Sequence, residues 1–125
     1  SAAAGLAVLD VIERENLQQN ARDTGGYLVD ELRALGTRHE LIGDVRGNGL
    51  YIGLELVLDH ERKSPAAAPA KKLINALRDR GLLTSTTGPN ANILKIRGPM
   101  VLTREDAGIA VGIIESALVA LESQL

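Results

Sequence analysis

Lys95 and Arg97 are the residues whose types and spacing best suit binding chemistry. They lie two positions apart in the run Asn92-Ile93-Leu94-Lys95-Ile96-Arg97-Gly98-Pro99, which alternates apolar and polar side chains as a short strand does. A period of two puts both cations on one face, away from Leu94 and Ile96. Two cations side by side at a strand end can clamp a carboxylate or a phosphate. The same pattern also serves as a solvated strand edge, where lysine discourages further pairing. Gly47-x-Gly49-x-x-x-Gly53 has the glycine density of a phosphate loop. A phosphate loop opens a helix, however, and this one runs into a strand, so it reads as a structural turn. His39 and His60, the only histidines, fall in polar loops without cysteine neighbours, and no set of metal ligands assembles around them. No serine sits in a G-x-S-x-G elbow. The carboxylate pairs Glu13/Glu15 and Glu105/Asp106 lie at helix ends, as solvated or capping groups. The chain therefore carries substrate-binding candidates, Lys95 and Arg97, but no catalytic residue, cofactor ligand or metal ligand of its own.

These residues need a scaffold, and its elements are legible as periodicities. Along residues 51–58, Ile52, Leu54, Leu56 and Leu58 form one face and Tyr51, Gly53, Glu55 and Val57 the other, the mark of a half-buried strand. Its feeder, residues 43–49, places glycines where a chain turns with positive φ or passes close to another backbone. Residues 2–15 read as a first helix. Asn16, with Gln19 three residues on, resembles a capping box that opens a second helix with Leu17, Ala21, Leu28, Leu32 and Leu35 on its apolar face and Gly36 at its end. Gly25-Gly26 inside that helix points to a tight helix crossing. A polar loop over residues 59–68 leads to Ser64-Pro65, read as N-cap and first helical residue. The helix so opened buries Leu73, Ile74 and Leu77, carries Arg78 and Arg80 in its last turn and stops at Gly81. Short strands at 82–86 and 93–96 flank a turn. Thr103 then caps a last helix, with Asp106 at the third position, that buries Ala110, Ile113, Ile114, Ala117, Leu118 and Leu121. The order helix, helix, strand, helix, strand, strand, helix predicts an α+β two-layer sandwich. Its sheet is small, of three to four mostly antiparallel strands, and covered by helices mainly on one face.

Composition narrows the function classes. A chain of 125 residues with 45% hydrophobic content makes one domain with a real core. A net charge of −2 gives no reason to expect nucleic acid or an anionic membrane as partner. No apolar run approaches the roughly 20 residues of a membrane span. The absence of cysteine excludes disulfide and thiolate chemistry and fits a cytoplasmic protein. Tyr27 and Tyr51 are the only aromatics, so the core is aliphatic and stacking platforms for bases are lacking. The opening Ser1-Ala2-Ala3-Ala4-Gly5 has no initiator methionine and reads as the interior of a helix, hence as a fragment. An apolar strip along residues 2–9 is expected to be a contact surface and to drive self-association.

The stretch L-I-G-D-V-R-G-N-G-L-Y-I-G-L-E-L-V, followed by N-I-L-K-I-R-G-P-M-V-L-T-R-E-D, resembles the C-terminal segment of class III aminotransferases, pyridoxal-phosphate enzymes of fold type I. The opening S-A-A-A-G-L-A-V-L-D-V-I-E-R-E-N is similar to the helix that follows the family's glycine-rich segment, which makes residues 1–15 the end of a connecting helix. K-S-P-A and G-P-N-A-N-I-L-K-I-R-G-P-M are similar to the alanine–glyoxylate aminotransferase-like subgroup, which includes phospholyases of phosphoethanolamine. The resemblance implies that residues 1–125 are a small domain that shapes and closes the substrate pocket. In the parent it would serve amino transfer from an amino acid or amine to a 2-oxo acid. It also implies a large domain of the same polypeptide that carries the Schiff-base lysine and the pyridoxal phosphate, and a homodimeric assembly. The chain alone is then inactive and binds no cofactor. Many members place a carboxylate-binding arginine in the strand before Pro-Pro-Met. Aligning Gly98-Pro99-Met100 with that motif puts Lys95 at the arginine position, Arg97 two residues later and Gly98 in place of the first proline. Lysine is a point charge and not a fork, which favours a phosphate-bearing or differently held substrate. Arg46 matches the family's V-R-G as a structural residue. Phosphoethanolamine-type elimination is the alternative activity, and a free-standing dimerisation or interaction module the alternative class.

Overall fold

The structure is a computed structural model that describes the backbone of residues 2–99 and 102–124 and the side chains of residues 14–99 and 102–124. The small-residue strip expected along residues 2–9 lies outside the described side chains. The elements are α1 (Ala2–Gly36), β1 (Ile42–Asn48), β2 (Tyr51–Leu56), α2 (Ala67–Asp79), β3 (Ser85–Thr87), β4 (Ile93–Arg97) and α3 (Arg104–Glu122). The strands form one antiparallel sheet in the order β1-β2-β4-β3. Helices α1 and α2 pack on one face of it, and α3 packs on α1 and α2. This is the expected α+β sandwich, open on its second face.

Alternation builds the sheet. Ile52, Leu54 and Leu56 of β2 and Leu94 of β4 are fully buried, and Ile96 and Val45 join them in one aliphatic core. Leu28, Leu32 and Leu35 of α1, Leu73 and Leu77 of α2, and Ile114 and Leu118 of α3 close that core from the helical side. The inward face of α3 differs from the expected one at four residues. Ala107 and Val111 are buried, whereas Ala110 and Ile113 are half-buried beside them.

The two helices expected over residues 2–36 are one. One helix runs from Ala2 to Gly36, with no break at Asn16. Asn16 and Gln19 are exposed on its surface, where asparagine costs well under 1 kcal/mol against alanine. Gln19 Nε2 donates instead to Asp23 one turn on, at 2.9 Å. Gly25 does not face another helix either. A Cβ built on it would lie 1.8 Å from the carbonyl oxygen of Gly49, so α1 crosses the β1–β2 hairpin turn at backbone contact.

The glycine-rich feeder is a strand and not a turn. It pairs along its length with β2, and the turn itself is only Gly49-Leu50, between the paired residues Asn48 and Tyr51. Gly49 has φ +60°, as the first position of a tight hairpin loop requires. Gly43 is the extra residue of a bulge between Ile42 and Asp44. The alternation of β2 ends at Leu56. Val57 keeps the face opposite the core and is buried against Gly43, while Leu58, expected on the core face, is 62% exposed. Past Leu56 the chain pairs with residues 64–66: Pro65 forms a bridge with Val57, Leu58 N donates to Ser64 O (2.7 Å) and Ala66 N to Leu56 O (3.1 Å). Ser64 and Pro65 thus extend the sheet edge, and α2 begins after Ala66 without a side-chain cap. Arg80 lies just past the last turn of α2, and Gly81 follows with φ +90°. The short strands are shifted to 85–87 and 93–97.

Thr103 caps α3 as expected, its Oγ1 accepting from Asp106 N at 3.0 Å. Thr103→Ala is expected to lower stability by about 1 kcal/mol. The check is a lower urea midpoint with an unchanged slope, and an unchanged midpoint would contradict the cap.

Candidate functional site

The sheet face away from the helices carries the polar partners of the core residues. Cross-strand pairing places Arg46, Gly53, Lys95 and Ser85 in one row and Asn48, Tyr51 and Arg97 in the next. Lys95 and Arg97 therefore do share one face, opposite Leu94 and Ile96. Lys95 is half-buried and Arg97 exposed. Successive same-face residues sit about 7 Å apart along a strand. Two unit charges at that separation repel by on the order of 0.6 kcal/mol in water.

Neither cation has an ion-pair partner among the described residues. Both approach Tyr51. Lys95 Nζ and Arg97 Cζ each lie 5.5 Å from the centroid of its ring. On the β3 side the pair lines an open groove of about 340 Å³ with Leu83, Thr84 and Ser85. Thr84 Oγ1 is buried there without a hydrogen-bond partner among the described residues. The charges across the sheet are arranged differently. Arg46 donates to Asp44 at 3.0 Å and reaches Glu55 at 3.9 Å, so its charge is compensated within the sheet. The cationic end of the face is β4, and it suits an incoming anion.

His39 is not in a solvated loop. It is buried just after α1, with Nδ1 against Glu122 Oε1 and Nε2 3.4 Å from Glu115 Oε2, both on α3. Arg38 donates to the same Glu115 carboxylate at 2.8 Å. These contacts tie the end of α1 to α3, a structural use that polar flanking residues concealed. His60 faces the Glu40 carbonyl at 2.8 Å. Among the described residues no three or more His, Asp or Glu converge as a metal site.

The Arg38 hydrogen bond, followed by that of His39, holds the Glu115 carboxyl below its ordinary range. A depressed folded-state value stabilises the fold above the ordinary glutamate value of about 4.3 and is lost as pH falls through and below it. Wild type is thus expected to lose stability on acidification from pH 6 towards pH 3 more steeply than Glu115→Gln. Urea midpoints across that range measure it, and parallel acid limbs would contradict the clasp.

The profile of the family described as Aminotransferase class-III matches residues 1–118. The chain belongs to the class III aminotransferase family. It is 44% identical over 111 residues to the alanine–glyoxylate aminotransferase 2 homolog 2 of Arabidopsis thaliana, a mitochondrial protein, covering 89% of this chain and 23% of the relative. It is 44% identical to the 4-aminobutyrate aminotransferase GabT of Escherichia coli, covering 88% of this chain and 25% of that protein. A solved Arthrobacter phospholyase in complex with phosphoethanolamine superposes with a TM-score of 0.82 at 40% identity, covering 94% of this chain and 28% of that one. The chain thus spans about a quarter of the length of the curated relatives it matches. Among the described residues no helix is long and apolar enough to cross a membrane.

Membership implies pyridoxal phosphate in the full-length enzymes, and the residues here do not fit it. A Schiff-base lysine needs an enclosed setting that lowers its pKa. Lys63, Lys71 and Lys72 are exposed, and Lys95 lies on an open sheet face. None of these four lysines lies in such an enclosed setting.

Proposed function

We propose that this chain is the small C-terminal domain of a pyridoxal-phosphate-dependent class III aminotransferase, in which Lys95 and Arg97 hold the anionic group of the substrate. The remainder of the polypeptide supplies the cofactor and the reacting lysine, and the assembly is a homodimer. The amino group passes from an amino acid or amine to a 2-oxo acid. The absence of cysteine fits a reducing compartment such as the cytoplasm. One observation carries the reading: two cations converge on one ring, on the open face of the sheet, without a carboxylate partner among the described residues. An anion seated against the pair is attracted by both charges, which offsets their mutual repulsion, and the chain's own part is to bind and orient that anion.

The same observation favours a second reading, elimination of phosphate from a phosphoethanolamine-type amine. Two positive charges match a phosphate dianion better than a single carboxylate, and the Arthrobacter phospholyase is a relative of comparable identity. The test is steady-state kinetics of the complete polypeptide with carboxylate-bearing, phosphate-bearing and neutral amine donors. Lys95→Ala or Arg97→Ala is expected to lower kcat/KM for the anionic donors alone. Equal losses for neutral donors would remove the anion-binding role.

A further inference from the structure

Tyr51 is one of two aromatic residues in the chain, and it lies outside the hydrophobic core. It sits at the first position of β2, 48% exposed, with its ring on the open face. Directly across on β4 is Arg97, and the diagonal neighbour two residues earlier is Lys95. Cross-strand geometry brings both positions within reach of an aromatic ring. Both cations are in fact 5.5 Å from its centroid, a distance at which the ring quadrupole attracts a positive charge. Long cationic side chains on an open sheet otherwise diverge, because each gains hydration and loses repulsion by moving away from the other.

We propose that Tyr51 is a positioning residue that holds Lys95 and Arg97 together as one anion seat. This rests on the reading of that pair as the substrate anion site. The ring supplies negative electrostatic potential without net charge, so it gathers the cations without competing for them as a carboxylate would. An anion that enters the groove beside Leu83, Thr84 and Ser85 then meets two charges already converged. The phenol oxygen is not needed for this, so the role belongs to the ring face.

The experiment titrates inorganic phosphate into the 125-residue chain and follows the side-chain resonances of Lys95 and Arg97 by NMR. Wild type, Tyr51→Phe, Tyr51→Leu and the double variant Lys95→Ala/Arg97→Ala are compared. Without phosphate, the methylene protons nearest the two charges are expected upfield in wild type and Tyr51→Phe and at ordinary positions in Tyr51→Leu. Phosphate affinity is expected within twofold of wild type for Tyr51→Phe and about fivefold weaker for Tyr51→Leu. Core amide resonances unchanged in Tyr51→Leu show that the fold is retained. Wild-type affinity and upfield shifts in Tyr51→Leu would overturn the role of Tyr51 while leaving the cationic pair intact. Binding unaffected by loss of both cations would instead overturn the anion seat, whatever the ring does.

Discussion

Replacing Gly25 with alanine is expected to destabilise the fold by about 3 kcal/mol or more, while the same change at Gly26 is expected to stabilise it. The two residues are neighbours on one helix with opposite surroundings. A Cβ at Gly25 would lie 1.8 Å from the Gly49 oxygen and 2.4 Å from its carbonyl carbon. Those are backbone atoms of a tight hairpin turn and have no rotamer into which to move. Overpacking a well-packed core costs about 1–3 kcal/mol where side chains can shift, so a clash with backbone belongs at or above the top of that range. Relief would require α1 to lift off the hairpin that carries Tyr51. A Cβ at Gly26 meets nothing within 4 Å, and the position is exposed. There alanine is expected to add about 0.5–1 kcal/mol by its helix propensity alone. Urea midpoints of the two variants decide it. Similar shifts in the same direction would contradict the helix–hairpin contact.

The largest functional effect is expected from removing both cations of β4. A lost charge-assisted hydrogen bond costs about 1.5–3 kcal/mol, or roughly ten- to a hundredfold in kcat/KM for each single variant of the complete enzyme. Lys95 and Arg97 are close enough to couple, so the double variant need not multiply the two losses. About a hundredfold or more is expected for anionic donors, and little for a neutral amine. The cofactor absorbance is expected to be unchanged, because none of the cofactor contacts is proposed to lie in this chain. Wild-type kcat/KM in the double variant would return Lys95 and Arg97 to a solvated strand edge.

The parts of this fold that were legible in the sequence are those where one periodicity decides the structure. Ile52, Leu54 and Leu56 alternate without interruption, and so do Leu94 and Ile96. The facing of Lys95 and Arg97 followed directly from that period. Local signals misled where a distant contact decides. The Asn16/Gln19 pattern is a genuine cap motif, yet an asparagine on an exposed helix surface costs too little to stop a helix. The exposure of Leu58 accompanies pairing of the chain with Ser64 and Pro65 beyond the strand, and the need for Gly25 depends on Gly49, in the hairpin turn. β1 was hidden because its glycines dilute the alternation that its pairing with β2 enforces. Tyr51 was visible only as a face of a strand. Its proximity to both cations needed the β2–β4 register, which no single strand contains. His39 shows the same limit, since both glutamates that hold it come from the far end of the chain.

The most direct measurement is a crystal structure of the complete polypeptide with an amine donor that it converts, one carrying a carboxylate or a phosphate. An oxygen of that anion is expected within about 2.7–3.2 Å of Lys95 Nζ or an Arg97 guanidinium nitrogen, with the Tyr51 ring against the pair. An anion seated on residues outside this chain, with both cations still facing solvent, would contradict the assignment.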